Sequence, residues 1–199
     1  MENRLRGGGL MMLKRLFLFS AAAVVPIGAA AADPQIDVKT SAGDFRIELY
    51  PAKAPKTVEN FLQYVKSGHY NGTIFHRVID GFMIQGGGFD KSFKQKPTKP
   101  PVPIESKNGL KNDIGWLAMA RTSDPNSATA QFFINVNNNS FLNYPGQDGA
   151  GYTVFAKVVS GLDVIQKIGK TPTGPGGPFP TDVPRQAITI EAMTPVEQK

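Results

Sequence analysis

Nearly every apolar run in this chain is short and closed off by Gly, Asn or Pro, which limits the fold to one built mainly from strands. Residues 36–40 and 45–49 alternate apolar and polar around Ser41-Ala42-Gly43-Asp44 and predict a hairpin. Six further strands are predicted at 73–78, 82–86, 116–120, 131–135, 152–158 and 187–192. Only two stretches have helical spacing. Pro55 suits a first helical turn, Val58, Phe61, Leu62 and Val65 follow on one stripe, and Gly68 supplies a C-terminal cap. A shorter helix is predicted over 162–168, with Leu162, Ile165 and Ile168 on one face. Many short strands with two helices predict a mainly β fold, a closed antiparallel barrel in which closure removes exposed strand edges. The Pro/Gly-rich segment 171–178 reads as a surface loop, because too little chain follows it to form another domain.

The start of the chain has a different character. Lys14 and Arg15 precede an uncharged run that ends in Ala30-Ala31-Ala32 before Asp33, the layout of a secretory signal peptide. The expected organisation is a removed signal over 1–32 and one domain over 33–199, with translation starting at Met1, Met11 or Met12. Pro26 and Gly28 interrupt the run and argue against a permanent anchor, so no stable membrane association is expected after cleavage. The formal charge is +6, but residues 1–32 hold four basic residues and one acidic, leaving +3 on the remainder. With no long Lys/Arg run in that remainder, nucleic acid is not an expected partner. The absence of cysteine excludes a disulfide framework, thiolate chemistry and a lipoprotein anchor.

Two segments mix polar and large apolar residues in a way that a plain sheet face does not. In Phe75-His76-Arg77-Val78-Ile79-Asp80-Gly81-Phe82-Met83-Ile84-Gln85, strand alternation groups Arg77 with Phe75 and Ile79, and Met83 with Gln85. In Ala130-Gln131-Phe132-Phe133-Ile134-Asn135, Phe132 and Ile134 form an apolar set, while Gln131, Phe133 and Asn135 point the other way. An aromatic ring between amides reads as a second wall of a peptide-binding pocket. The only histidines are His69 and His76, with no carboxylate cluster at ligand spacing, so no metal site is expected. Gly86-Gly87-Gly88 lacks a following GK[ST] and reads as a strand-end turn, not a phosphate loop.

These two segments, together with Gly115-Trp116-Leu117-Ala118-Met119-Ala120-Arg121 and Gly151-Tyr152-Thr153-Val154-Phe155-Ala156-Lys157-Val158, resemble the cyclophilin family of peptidyl-prolyl isomerases, and in particular its bacterial periplasmic members, over residues 36–192. The resemblance implies an eight-stranded barrel capped by two helices and an isomerase that needs no nucleophile and no cofactor. It assigns catalysis to Arg77 with Gln85. It implies a proline-ring pocket of Phe82, Met83, Phe133 and Leu142, with Gln131, Ala120, Arg121, Phe141 and Tyr152 along the rest of the peptide groove. Phe141 stands where the family's eukaryotic members usually carry tryptophan, so weak cyclosporin binding is expected. Arg121 stands where asparagine is usual and either adds positive charge beside the groove, favouring acidic residues near the proline, or serves the peptide only through its backbone, and Tyr152 stands where histidine is usual. The implied partners are proline-containing, unfolded or partly folded exported polypeptides in the periplasm, handled by a monomer.

Other readings of the same residues are weaker. His76 neighbours Arg77, but adjacent strand residues face opposite sides, so it is expected to pack instead of acting as a base. No G-x-S-x-G elbow supports a hydrolase. A non-catalytic barrel that merely holds exported chains is the competing function, and its mark would be loss of the arginine.

Overall fold

A computed structural model of the chain describes residues 32–197. The signal segment expected over 1–32 falls, but for Ala32, outside the described residues. The remainder contains ten strands and two α-helices: β1 (Gln35–Thr40), β2 (Gly43–Leu49), α1 (Pro55–Lys66), β3 (Thr73–Ile79), β4 (Met83–Asp90), β5 (Trp116–Met119), β6 (Phe132–Asn135), β7 (Val154–Ser160), α2 (Leu162–Gly169), β8 (Thr173–Gly176), β9 (Phe179–Pro184) and β10 (Thr189–Pro195). Eight of the strands close into an antiparallel barrel in the order β1-β10-β3-β4-β6-β5-β7-β2. They are the eight expected from the sequence, with ends shifted by a few residues.

The barrel interior is filled by the inward side of each strand's alternation: Ile36 and Val38, Phe45 and Ile47, Ile84, Leu117, Phe132 and Ile134 are all buried in one cluster. The helices lie at opposite ends. Helix α1 follows the last residue of β2 and buries Val58, Phe61 and Val65, while Gly43, at the other end of β2, faces Val164 of α2. Phe61 meets Tyr70, Phe132 and Phe155 at ring-centroid distances of 5.1, 5.8 and 5.1 Å, close-packed aromatic contacts within the core. Gly68 follows the C-cap Ser67 and adopts φ +67°, the left-handed conformation that ends helices at little cost to glycine. The N-terminus of α1 is capped from a distance. Ala54 has no side-chain acceptor, and the Glu105 carboxylate instead accepts from the Lys56 and Thr57 amides at 3.1 and 2.9 Å. In α2, Ile165 and Ile168 are buried as expected, but Leu162 opens the helix at its rim and is exposed.

Three features differ from expectation. The segment 171–178 is not a loop: Thr173–Gly176 pairs with Phe179–Pro184 as a separate two-stranded sheet. Its prolines are tolerated because both strands are edges. Gly86, Gly87 and Gly88 lie inside β4, not at a strand-end turn. Strand β3 carries a bulge, since Phe75 pairs with Gly86 and Arg77 with Gln85, so the two residues from 75 to 77 face a single step of β4. His76 is the additional residue. The bulge shifts the alternation, so Phe75 and Val78 both enter the core while Arg77 emerges on the outer side. The grouping of Phe75 with Arg77 is therefore wrong.

Candidate functional site

On the outer side of β4, β5, β6 and β7, Met83, Ala118, Phe133 and Val154 form a second buried cluster, separate from the barrel core. Each reaches it by the alternation that sends its strand neighbour inward: Phe132 fills the barrel and Phe133 the outer cluster. Ile79, Phe82, Ala120, Leu142 and Tyr152 surround it. A recess of about 120 Å³ opens above, lined by Arg77, Phe82, Met83, Gln85, Ala120, Arg121, Phe133, Leu142 and Tyr152. That is well below the roughly 300–1,000 Å³ of sites for drug-sized ligands, and suits one small ring more than a whole cofactor.

The polar edge is a chain of side chains. Arg77 Nη1 donates to Gln85 Oε1 at 3.5 Å, a long contact, and Gln85 Nε2 donates to Gln131 Oε1 at 3.0 Å. Gln131 is thus joined to the site through Gln85. Gly88 explains part of the glycine triplet, because a Cβ there would stand 2.6 Å from Gln131 Cγ and displace the amide. Arg77 remains half-exposed at the mouth, so its guanidinium reaches solvent and ligand alike.

Arg121 lines the recess, but its charge is already taken up. The side chain is 3% exposed, ion-paired to Asp148, and donates from Nη2 to the Gly151 carbonyl at 2.7 Å. Its hydrogen bond, with the Gly151 and Ala150 amides, holds the Asp148 carboxyl well below the usual carboxylate range. The guanidinium also lies 4.4 Å from the Tyr152 ring centroid, and Tyr152 meets Phe133 edge-on at 5.6 Å. Arg121 therefore acts as a latch behind one wall and does not add positive charge to the groove. Phe141, expected in the groove, is exposed and stacks on Phe82 at 5.6 Å outside the lining.

Asn135 is not a pocket wall. It is completely buried and belongs to an amide network beneath the site that residue-by-residue reading missed. Asn135 Nδ2 donates to the Trp116 carbonyl at 2.9 Å, Asn139 Nδ2 donates to Asn135 Oδ1 at 2.7 Å and to the Phe82 carbonyl at 2.9 Å, and the Asn112 amide donates to Asn143 Oδ1 at 2.7 Å. The network ties the turn before β4, at the Phe82 carbonyl, to the short helical turn at Ser140–Leu142, and Phe82 and Leu142 both line the recess. The run Asn137-Asn138-Asn139 was the available signal. His76 is buried against Phe89 and Phe179, as a packing role requires. Among the described residues, no group of His, Cys, Asp and Glu is placed to hold a metal ion.

Residues 35–194 match the family model described as cyclophilin type peptidyl-prolyl cis-trans isomerase/CLD. Peptidyl-prolyl cis-trans isomerase B of Escherichia coli is 57% identical over 157 residues, covering 78% of this chain and 95% of that protein. A peptidyl-prolyl cis-trans isomerase of Acinetobacter baylyi is 50% identical over 179 residues, covering 90% of this chain and 94% of that protein. A Cryptosporidium parvum cyclophilin-type isomerase, crystallised in the presence of the dipeptide Ala-Pro, superposes with a TM-score of 0.68 at 28% identity, over 82% of this chain and 99% of that one.

Proposed function

The chain belongs to the cyclophilin-type peptidyl-prolyl cis-trans isomerase family and is an enzyme of that class, and from there we propose that Arg77 drives the reaction by hydrogen bonding to the twisted prolyl amide. Rotation about an X-Pro bond meets a barrier of about 18–20 kcal/mol because the C–N bond is partly double. Twisting removes the resonance, so the prolyl nitrogen pyramidalises and accepts a hydrogen bond far better than in either planar state. A guanidinium held beside it stabilises the twisted form selectively, which is the condition for acceleration. The apolar wall of Phe82, Met83, Phe133 and Leu142 has a different task. It holds the proline ring while the acyl side rotates, and Gln85 and Gln131 offer hydrogen-bonding groups to the peptide backbone. The observation that carries this reading is a ring-sized apolar recess with Arg77 at its mouth.

The test is the cis-to-trans exchange rate of a short Ala-Pro peptide with the protein and its Arg77→Ala variant. A charge-assisted hydrogen bond contributes about 1.5–3 kcal/mol, so the variant is expected to lose about ten- to a hundredfold in kcat/KM while remaining folded. Undiminished activity would remove Arg77 from the mechanism. No acceleration by either protein would favour a barrel that only binds.

The clients we propose are exported polypeptides whose prolines isomerise during folding, with the enzyme acting in the periplasm. The signal-like sequence of residues 1–32 supports that location. Phe141, stacked on Phe82 beside the recess, offers no indole N–H to a cyclic peptide drug. Weak cyclosporin inhibition with full isomerase activity is expected in a dose-response measurement, and near-complete inhibition at low nanomolar drug would overturn it.

A further inference from the structure

We propose that Asp182, on the β8–β9 hairpin, is a positioning residue that holds the Arg77 guanidinium in its working orientation. This rests on the assignment of Arg77 as the residue that meets the twisted amide. The Asp182 carboxylate oxygen that accepts from the Thr181 hydroxyl at 3.1 Å also stands 4.0 Å from Arg77 Nε, while Arg77 Nη1 reaches Gln85. A guanidinium drawn at Nε toward a carboxylate at 4.0 Å and at Nη1 toward an amide oxygen at 3.5 Å is biased toward one orientation, though neither contact is short. Arginine otherwise samples many rotamers, and each misplaced one is unproductive.

The hairpin is built for this placement. Asp182 has φ +66°, and among the described residues the only other non-glycine at positive φ is Phe93, at +58°. Both belong to the same module, since Phe93 meets the Phe179 ring at 6.2 Å and lies under Gly176. Left-handed backbone is strained for residues other than glycine, with Asp and Asn among the more tolerant, and such strain persists where the surroundings impose it. Here the surroundings are aromatic: Phe179 packs edge-on against Phe89 at 5.2 Å and over His76 at 5.3 Å. His76 adjoins Arg77 in the β3 bulge. One docked hairpin thus seals the back of the bulge that turns Arg77 outward and sets a carboxylate beside it.

Asp182→Asn keeps the shape and tolerates the left-handed backbone, and Asp182→Gly accepts that backbone without strain. Both remove the charge by different routes. Each is expected to lower kcat on the Ala-Pro peptide by about 1.5- to fivefold with KM unchanged, the range of a partly exposed ion pair. In an Arg77→Ala background the same substitutions are expected to change nothing, because Asp182 acts only through Arg77. The Arg77 Nε–H signal in a ¹H–¹⁵N NMR spectrum is expected to shift in Asp182→Asn. Wild-type kcat in both variants, or an equal loss with and without Arg77, overturns the proposal. If Arg77→Ala itself retains full activity, the assignment of Arg77 fails instead, a result separable from failure at Asp182.

Discussion

Phe132→Ala is expected to lower the unfolding free energy by about 3–5 kcal/mol, the usual cost of emptying a phenylalanine site in a core that cannot collapse. Phe132 is fully buried and makes edge-on contacts with Phe61 at 5.8 Å, Tyr70 at 5.6 Å and Phe75 at 6.4 Å. These partners come from α1, the turn after it and β3, so no single element walls the void and closes it alone. In a chain of this size the loss corresponds to a fall in melting temperature of about 6–20 °C. Phe133→Ala makes the informative contrast. Its ring lies in the outer cluster against Tyr152, beside the recess, so its removal is expected to register mainly as weaker peptide binding. Thermal unfolding of both variants, with KM for the Ala-Pro peptide, separates the two faces of β6. Equal stability losses with unchanged KM would mean that the face assignment fails.

The contrast between these neighbours was legible because β6 is regular: period-two alternation alone sends Phe132 inward and Phe133 out. The same rule failed two strands away, in β3. A bulge adds one residue to β3 without any special composition, so nothing in Phe75-His76-Arg77 warned that the alternation shifts there. Arg77, Phe82, Met83, Gln85 and Phe133, singled out by family motifs, come together around one recess, because their positions depend on strand pairing that the sequence pattern encodes. The motifs did not disclose the long-range partners. Asp148 neutralises Arg121 from a loop beyond β6, and Asp182 approaches Arg77 from a hairpin whose glycines and prolines read as a loop. Asn135 shows the remaining difficulty. Its alternation placed it on the pocket side, but Asn112 and the Trp116 carbonyl, distant in the chain, and Asn139, four residues on, draw it into a buried network beneath.

Acidification is expected to destabilise the fold through His76, whose pKa is pushed down to about 4 by burial, with the Arg77 charge acting in the same direction and a backbone contact at Ile74 opposing it. The imidazole is 3% exposed between Phe89 and Phe179, and its Nδ1 has no hydrogen-bond partner, so the site accommodates the neutral ring and penalises the cation. The unfolded chain takes up this proton near the ordinary value of 6.5, whereas the folded chain resists until about 4. Between those values the unfolded state binds more protons. Stability is therefore complete above pH 6.5 and declines as pH falls, by about 3 kcal/mol at most over the whole interval. His69 is also lowered by burial and contributes in the same direction, so wild-type curves alone do not isolate one ring. His76→Leu keeps an apolar filler that cannot be protonated. The difference between wild-type and variant unfolding free energies, measured by urea titration from pH 7.5 to 4, removes the His69 and carboxylate contributions that both share. The wild type is expected to lose up to about 3 kcal/mol more than the variant across that range. Parallel curves would mean that the imidazole charges within its aromatic site, and that the β8–β9 hairpin is not closed over it.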